Sequence, residues 1–412
     1  MKKEGQEKNS EEVRGPFQNF FLDKKGAPPQ PPQEGSGAVH LLREILAFAS
    51  QEECSDVHIE GQEKSLRIRL RKNGQLFTYK VLDKGLQQSL VARIKVLSHL
   101  DIAEKRQAQD GRFSFDSGAK TIDVRVSILP TVYGEKVVLR LLNSVSLDYS
   151  VEGIGLRDQD LKKIQLLLRQ PSGLILLCGP TGCGKTSTLY TMIQMLNDEK
   201  RNIVTIEDPV EYKIGGVNQI AVNDKTGLSF EAGLKAILRQ DPEVIMVGEI
   251  RSYDTAETAL RASMTGHLVL STLHTIDSPS ALVRLQDMRL APYMISSGLT
   301  GIVSQRLVRR LCPKCKEAVE GEDPYFHLEG AKIYEARGCP DCLEGYTHRQ
   351  AIFEILILDQ KIKSLVLEGA SLEDLRAHAR HLKMASLYDQ VRDLLLKGDI
   401  DLEEAYRSIA SI

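Results

Sequence analysis

The chain has 412 residues, enough for about two to four domains of ordinary size. Hydrophobic residues make up 42% and charged residues 27%, a balance that excludes wholesale disorder. Lys and Arg number 54 against 56 Asp and Glu, so no overall basic excess indicates a nucleic acid partner. No apolar run approaches the about 20 residues of a membrane helix, and the polar N-terminus lacks a signal-peptide pattern. We therefore expect an intracellular, multidomain protein without a membrane span.

The N-terminal part is predicted to consist of a tail followed by a small domain. Residues 1–37 are polar and end in a Pro- and Gly-rich run, which predicts a disordered tail and linker. The apolar residues 17–22 are either an incidental hydrophobic spot or a short docking motif. Residues 38–147 are predicted to form an α+β domain, with a helix from Val39, a β-hairpin turn at Asn73-Gly74 and a second helix over 86–97.

The next part, residues 148–311, is predicted to be a mostly parallel sheet with helices on both faces. Short apolar segments alternate there with helical ones, which is typical of α/β folds. Strands are expected at 173–178, 202–206, 243–247 and 268–272, with helices at 185–196, 229–239 and 256–264. A further helix is expected to begin with Ser278 as N-cap and Pro279 in the first position, and another to begin at Ser371.

The strongest chemical pattern is a phosphate-binding loop between a predicted strand and a predicted helix. It matches GxxxxGK[ST] at every fixed position. Lys185 is expected to place its charge on the β and γ phosphates, and the Thr186 hydroxyl can bind Mg²⁺. The sequence thus predicts ATP or GTP binding by Gly179, Pro180, Thr181, Gly182, Cys183, Gly184, Lys185, Thr186 and Ser187.

Carboxylates and histidines at strand ends are the candidate catalytic residues. Glu249 follows an apolar strand and is predicted to polarise water, directly or beside Mg²⁺, and Glu207 ends a second strand. The alternative for both is a surface acid at the start of a loop. His267 opens an apolar strand and His274 ends it. Histidines at strand ends are usually structural, but the position of His274 predicts a γ-phosphate contact.

Four of the seven cysteines form two CxxC pairs separated by 23 residues: Cys312 with Cys315, and Cys339 with Cys342. In a chain without an export signal this spacing predicts a closed, structural Zn²⁺ site, within a subdomain of residues 312–348. The alternative is a metal-free thiol cluster. A fifth cysteine, Cys183, is predicted to have a lowered pKa and to be alkylated quickly, because it lies at a helix N-terminus beside a lysine. Its alternative is an inert thiol.

Together these segments resemble the ATPase family of type II secretion, type IV pilus assembly and competence systems. Four signatures occur in order, and further segments on either side resemble the family's flanking regions. The resemblance covers residues 38–412. Ser252 and Ile276 depart from the family pattern, which has Asp and Asn at those positions. The segments that carry the resemblance are the phosphate loop, 205–211, 239–251 and 265–275, flanked by 55–60, 67–71, 109–112, 305–315 and 352–356.

The resemblance implies a RecA-like P-loop ATPase core, preceded by the small α+β domain and followed by a zinc-knuckle insertion and a helical C-terminal part over 349–412. It implies a homo-hexamer that hydrolyses ATP at the cytoplasmic face of the inner membrane. There it drives pilin or pseudopilin assembly through a polytopic membrane platform protein, without nucleic acid.

The resemblance also assigns one arginine, Arg69, to the nucleotide. Alternation places Arg67 and Arg71 on the same strand face and leaves open that all three are solvated. The tetracysteine pattern favours a secretion or assembly ATPase over a retraction ATPase. Two different functions compete with this one: a DNA-handling RecA-type motor and an idle nucleotide-binding scaffold.

Overall fold

The structure, a computed structural model, describes residues 37–118, 121–142 and 153–410. The predicted tail, with the apolar residues 17–22, and the predicted domain end at 147 lie outside the described residues. The chain divides into two compact units, Met1–Leu141 and Leu142–Ile412, and each is described by itself. In the described ranges no helix has both the length and the apolarity that crossing a bilayer requires.

The N-terminal unit packs helices against one face of a sheet. Its elements are α1 (Gly37–Gln51), β1 (Asp56–Gly61), β2 (Ser65–Lys72), β3 (Gln75–Asp83), α2 (Leu86–Leu97), β4 (Gln109–Asp116), β5 (Thr121–Thr131) and β6 (Gly134–Leu142). The strand order, within the described residues, is β3-β2-β1-β6-β5-β4. Asn73 and Gly74 both have positive φ, 51° and 84°, as the predicted hairpin turn requires.

The C-terminal unit begins with a strand, phosphate loop and helix, as the sequence predicts. Its first half alternates strands and helices, with a short 3₁₀ turn at Asp224–Thr226. The elements of this half are α3 (Asp158–Leu168), β7 (Gly173–Cys178), α4 (Lys185–Leu196), β8 (Ile203–Glu207), β9 (Asn218–Ala221), α5 (Phe230–Ile237), β10 (Val244–Val247), α6 (Tyr253–Met264), β11 (Leu268–Leu273), α7 (Ser278–Asp287) and α8 (Pro292–Gly298).

The second half of this unit adds two long strands, a small hairpin and a group of helices. The elements are β12 (Leu299–Leu311), β13 (Glu317–Gly321), β14 (Ala331–Glu335), β15 (Tyr346–Ile357), α9 (Gln360–Glu368), α10 (Leu372–His381), α11 (Leu387–Leu396) and α12 (Leu402–Ile409). The main sheet has the order β15-β12-β7-β11-β10-β8-β9 among the described strands, and β13 pairs separately with β14.

The apolar strands are buried on both faces, which explains their nearly unbroken hydrophobic runs. In β7, Leu174 and Leu176 enter one hydrophobic cluster, while Ile175 and Leu177 enter another on the opposite face. β7, β8, β9, β10, β11 and β12 pair in parallel, and β15 joins them antiparallel to β12. A parallel sheet covered by helices on both sides brings the carboxyl ends of its strands to one edge, where α/β folds bind ligands.

Two details differ from the sequence predictions. The N-cap of α7 is Asp277 rather than Ser278, because the Asp277 carboxylate accepts a hydrogen bond from Ser280 N at 2.8 Å. Pro279 is therefore the second helical residue. The boundary drawn between 348 and 349 falls inside β15, a strand of the main sheet. The helix predicted at Ser371 is present, and Ser371 and Asp374 form a capping box.

Candidate nucleotide site and metal centre

The phosphate loop joins β7 to α4 in a conformation that only glycine adopts easily. Gly179, Gly182 and Gly184 have φ values of 146°, 79° and 89°. A β-carbon at Gly179 would lie 2.6 Å from the carbonyl oxygen of Gln305, and one at Gly184 would lie 2.9 Å from Gln305 Nε2. The loop therefore rests directly on β12 and leads into the N-terminus of α4, the end of a helix that favours an anion.

The end of the loop presents the Lys185 cation, followed by the hydroxyl groups of Thr186 and Ser187. Lys185 is 9% exposed, and its Nζ donates hydrogen bonds to the carbonyl oxygens of Gly179 at 2.7 Å and Pro180 at 3.0 Å. Burial is the main reason that the pKa of Lys185 is lowered. Thr186 is exposed and Ser187 is half-buried in the first turn of α4, with hydroxyl groups that suit a hard cation such as Mg²⁺.

Glu249 and His274 come together at the same edge of the sheet. They follow β10 and β11, and β11 lies directly between β10 and the phosphate-loop strand β7. Glu249 pairs with Arg251, and its Oε2 lies 3.7 Å from His274 Nε2. Burial, followed by the charge of Lys185, lowers the pKa of His274, which favours a neutral imidazole at pH 7. The structure thus brings Glu249, His274 and Lys185 within electrostatic reach of one another.

Glu207 is placed differently from Glu249. It is 3% exposed, and its carboxylate accepts hydrogen bonds from Tyr190 Oη, Thr205 Oγ1 at 2.6 Å and Gln219 Nε2 at 3.1 Å. Because Tyr190 belongs to α4 and Gln219 to β9, this carboxylate ties the phosphate helix to the end of β8. Such packing favours a positioning role over direct contact with water.

His267 lies at the opposite edge of the sheet from the phosphate loop. It precedes β11, and its Nδ1 is 3.0 Å from the carbonyl oxygen of Ala262 near the end of α6. The six residues of β11 separate it from the edge at which His274 lies, a distance of about 20 Å for an extended strand. The structure therefore does not bring His267 to the nucleotide site of its own chain, contrary to its assignment as a catalytic residue.

Cys183 is buried beneath the loop, and the predicted lowering of its pKa is wrong. It is 4% exposed, and its Sγ would lie 2.6 Å from a β-carbon at Gly179. Burial raises the pKa of Cys183, and this outweighs the opposing charges of Lys185 and Arg306. Helix position and a nearby lysine were visible in the sequence, but burial was not.

We therefore expect Cys183 to be alkylated slowly in the native protein. Cys54 and Cys178 are also buried, so all three should react with maleimide only when the chain opens. Peptide mapping after brief labelling of native and urea-unfolded protein measures this. Labelling of native Cys183 as fast as in the unfolded chain would contradict the expectation.

The four paired cysteines form a compact cluster that fits zinc. Their Sγ atoms all lie within 4.8 Å of one another. Individual separations are 3.9 Å for Cys312–Cys339, 3.7 Å for Cys315–Cys342 and 3.6 Å for Cys339–Cys342. Four sulfurs held tetrahedrally at about 2.3 Å from Zn²⁺ are about 3.8 Å apart, so the donor set matches a closed structural site. The first pair follows β12 and the second precedes β15.

In the N-terminal unit, Arg69 makes a bidentate contact with the Glu60 carboxylate. Its Nη2 and Nε donate to the two carboxylate oxygens of Glu60 at 2.8 and 3.0 Å. Arg67 and Lys136 each approach the same carboxylate at 3.1 Å. Although burial acts to raise the pKa of Glu60, the hydrogen bonds from Arg69 and Lys136 bring it to about 2. Arg71 lies instead 3.7 Å from Asp56.

Sequence reasoning about catalysis missed two buried polar residues of β12, Gln305 and Arg306. Gln305 Oε1 accepts a hydrogen bond from Thr188 Oγ1 of α4 at 2.8 Å, so it fixes the phosphate helix to this strand. Arg306 is 5% exposed. The sequence signal that could have identified them is their polarity within an otherwise apolar strand, because polar residues are unusual in a central strand of a covered sheet.

The family profile described as type II/IV secretion system protein matches residues 33–407. The chain belongs to this family. Type II secretion system protein E of Pseudomonas aeruginosa is 43% identical to this secretion-family chain over 91% of this chain and 76% of the relative. The type IV pilus assembly ATPase PilB of Myxococcus xanthus is 40% identical over 90% of this chain and 68% of the relative.

A solved structure supports the fold of this secretion-family chain. The pilus retraction motor PilT with bound ADP has a TM-score of 0.60 and 27% identity, over 89% of this chain and 96% of that one. The predicted family, fold class and ATPase activity are confirmed. The names of the 40–43% identical relatives also fit secretion and pilus assembly better than retraction.

Proposed function

We propose that this secretion ATPase binds ATP on residues 179–187 and hydrolyses it with Glu249 as the residue that polarises the attacking water. The observation that carries the proposal is the meeting of Lys185, Glu249 and His274 at the carboxyl edge of the parallel sheet. A cation that binds the phosphates and a carboxylate that orients the water serve phosphoryl transfer to water, and a neutral imidazole can donate a hydrogen bond to the γ-phosphoryl group.

The chain's own residues divide this work. The N–H groups of the loop and of the first turn of α4 bind the β and γ phosphates, and Lys185 exchanges its two loop carbonyls for phosphate oxygens. Arg251 orients the Glu249 carboxylate, which accepts a proton from water. His274 donates a hydrogen bond to the γ-phosphoryl group. Thr186 and a bound Mg²⁺ fit together here, and the cation neutralises phosphate charge when present.

We further propose that the chain works as a homo-hexameric motor for pilin or pseudopilin assembly. It would act from the cytoplasmic side of the inner membrane through a polytopic platform protein. Support comes from relatives named for type II secretion and for pilus assembly, and from the tetracysteine cluster that fits zinc. Arg69 keeps its predicted role at the γ-phosphoryl group. In the absence of nucleotide its guanidinium is fixed by Glu60.

Replacing Lys185 with Ala tests the nucleotide site. We expect ATP affinity to fall about 100-fold or more, because the buried ammonium is the main cation facing the phosphates. Lys235→Ala, which removes an exposed lysine paired with Glu231, is the matched control and should bind ATP normally. Calorimetry measures both affinities.

Hydrolysis assays with and without DNA then separate a secretion motor, whose hydrolysis rate DNA should not change, from a DNA-handling motor.

Normal ATP binding by the Lys185→Ala chain would contradict the proposed site. A strong stimulation of hydrolysis by DNA would instead favour a DNA-handling motor.

A further inference from the structure

Arg306 is a buried cation that forms no ion pair with any described residue. It lies on β12 with 5% of its surface exposed, and within residues 37–118, 121–142 and 153–410 no carboxylate oxygen lies within 4.0 Å of its guanidinium. Its hydrogen bonds go to carbonyl oxygens: Nη2 donates to Ile276 at 2.7 Å and Nη1 to Gln305 at 3.2 Å. Burying a charge without a counter-ion is costly, so such an arginine requires an explanation.

The acids nearest to Arg306 are engaged elsewhere. Asp277 caps α7 and pairs with Arg376, whose Nε is 3.0 Å from its Oδ2. The Glu354 carboxylate accepts hydrogen bonds from Ser278 N at 2.8 Å and Leu387 N at 3.4 Å. Both acids attract Arg306 electrostatically without forming an ion pair with it. Its charge is therefore incompletely compensated by the described part of the chain.

The uncompensated charge lies directly beneath the phosphate loop. A β-carbon built at Gly179 would be 3.4 Å from Arg306 Nη1, so the guanidinium touches the back of the loop. Its field also reaches Lys185, since Arg306 contributes to the lowered pKa of that ammonium. Lys185 occupies the place where the β and γ phosphates bind. A phosphate chain held on the front of the loop is therefore within reach of the same field.

We propose that Arg306 is a positioning and electrostatic residue that supplies positive potential to the phosphate site through the loop, and so favours ATP over ADP. The missing counter-ion is then the nucleotide itself. Through Ile276, Arg306 also holds the segment that follows His274 against the loop. This inference rests on the proposed nucleotide site.

The charge of the ligand gives a readout that a purely structural arginine does not change. At a separation of about 10 Å and an effective dielectric constant of about 20, one extra phosphate charge changes the dissociation constant about tenfold. Replacing Arg306 with Met should therefore weaken ATP about tenfold more than ADP, measured by calorimetry without Mg²⁺. Adding Mg²⁺, which neutralises phosphate charge, should reduce this difference.

Three further variants control the experiment. Arg306→Lys keeps the charge and should keep the ATP-to-ADP preference. Arg306→Gln removes the charge but retains a donor for the Ile276 carbonyl, and gives the same comparison if the Met variant does not fold. Arg309→Met removes another arginine of β12 that is 3% exposed but paired with Glu404 at 2.6 Å, and should leave the preference unchanged.

The melting temperature of the nucleotide-free protein provides a second readout. Because relief of the desolvation cost of the unpaired charge offsets the loss of two hydrogen bonds to carbonyl oxygens, Arg306→Met should melt close to the unchanged protein. Equal loss of ATP and ADP affinity, or no loss, in the Met and Gln variants would overturn the inference. If the unchanged chain itself failed to bind ATP, the proposed function and this inference would both fall. ATP binding by the unchanged chain together with an equal loss of ATP and ADP affinity in the variants would overturn this inference alone.

Discussion

Replacing Glu249 with Gln is expected to stop ATP hydrolysis while leaving ATP binding close to that of the unchanged chain. The amide is nearly the same size, so the loop and the sheet edge keep their shape. It cannot accept a proton from water, and general-base catalysis typically contributes about 10²- to 10⁴-fold to a rate. Steady-state hydrolysis and nucleotide titration on the same preparation measure the two effects separately.

The matched control for this variant is Glu257→Gln. Glu257 lies on the neighbouring helix α6 and pairs with Arg261 at 2.8 Å, on the surface of the unit. Surface ion pairs of this kind contribute at most about 1 kcal/mol to stability, so the replacement should leave the fold around Glu249 intact. Hydrolysis should therefore change little. Hydrolysis by the Glu249→Gln chain at a rate near that of the control would remove Glu249 from its assigned role.

The distinction between Glu249 and Glu207 comes from their surroundings rather than from sequence. Both follow short apolar strands, and from the sequence both are acids at a strand end. Glu207 has its oxygens occupied by Tyr190, Thr205 and Gln219, whereas Glu249 faces His274 and Arg251 at the loop edge. Strand order decides this, because β11 separates β7 from β10 and two strands separate β7 from β8.

Features that depend on neighbouring residues in the chain could be predicted. The hairpin turn at Asn73-Gly74, the capping box at Ser371 and the phosphate loop each follow from local backbone requirements. The buried strands of the main sheet also follow from local pattern, since an unbroken apolar run of four to six residues is the length of a buried strand and too short for a typical helix. The spacing of the two cysteine pairs is likewise enough to predict a metal site.

Features that depend on long-range packing could not be predicted. Cys183 and Arg306 are buried because β12, more than 100 residues after the loop, lies beneath it. Asp277, the N-cap of α7, is also held by Arg376, which lies 99 residues later in the chain. Whether a polar side chain in a strand is solvated or buried depends on which element covers that face, and this information lies outside the local sequence.

The largest expected effect on stability is that of the cysteine cluster. Replacing Cys339 and Cys342 with Ser should release one zinc per chain, since two of four thiolates cannot hold a closed tetrahedral site. Zinc binding contributes about 10–16 kcal/mol to small structural sites, far more than the β13–β14 hairpin can recover by itself. The segment between β12 and β15 should therefore lose its protection from hydrogen exchange, whereas β7 and α4 should still bind ATP.

Metal analysis and hydrogen exchange on the same samples test this, with Cys54→Ala as the control. Cys54 is buried in the N-terminal unit, so its replacement removes a thiol without touching the cluster. The control should keep its zinc and its protected hairpin. Absence of zinc from unchanged protein purified without chelator would contradict the metal assignment and return the four cysteines to a metal-free thiol cluster. Loss of ATP binding in the double variant would instead show that the metal centre supports the phosphate loop through β12, the strand that directly precedes Cys312 and carries Gln305 beneath the loop.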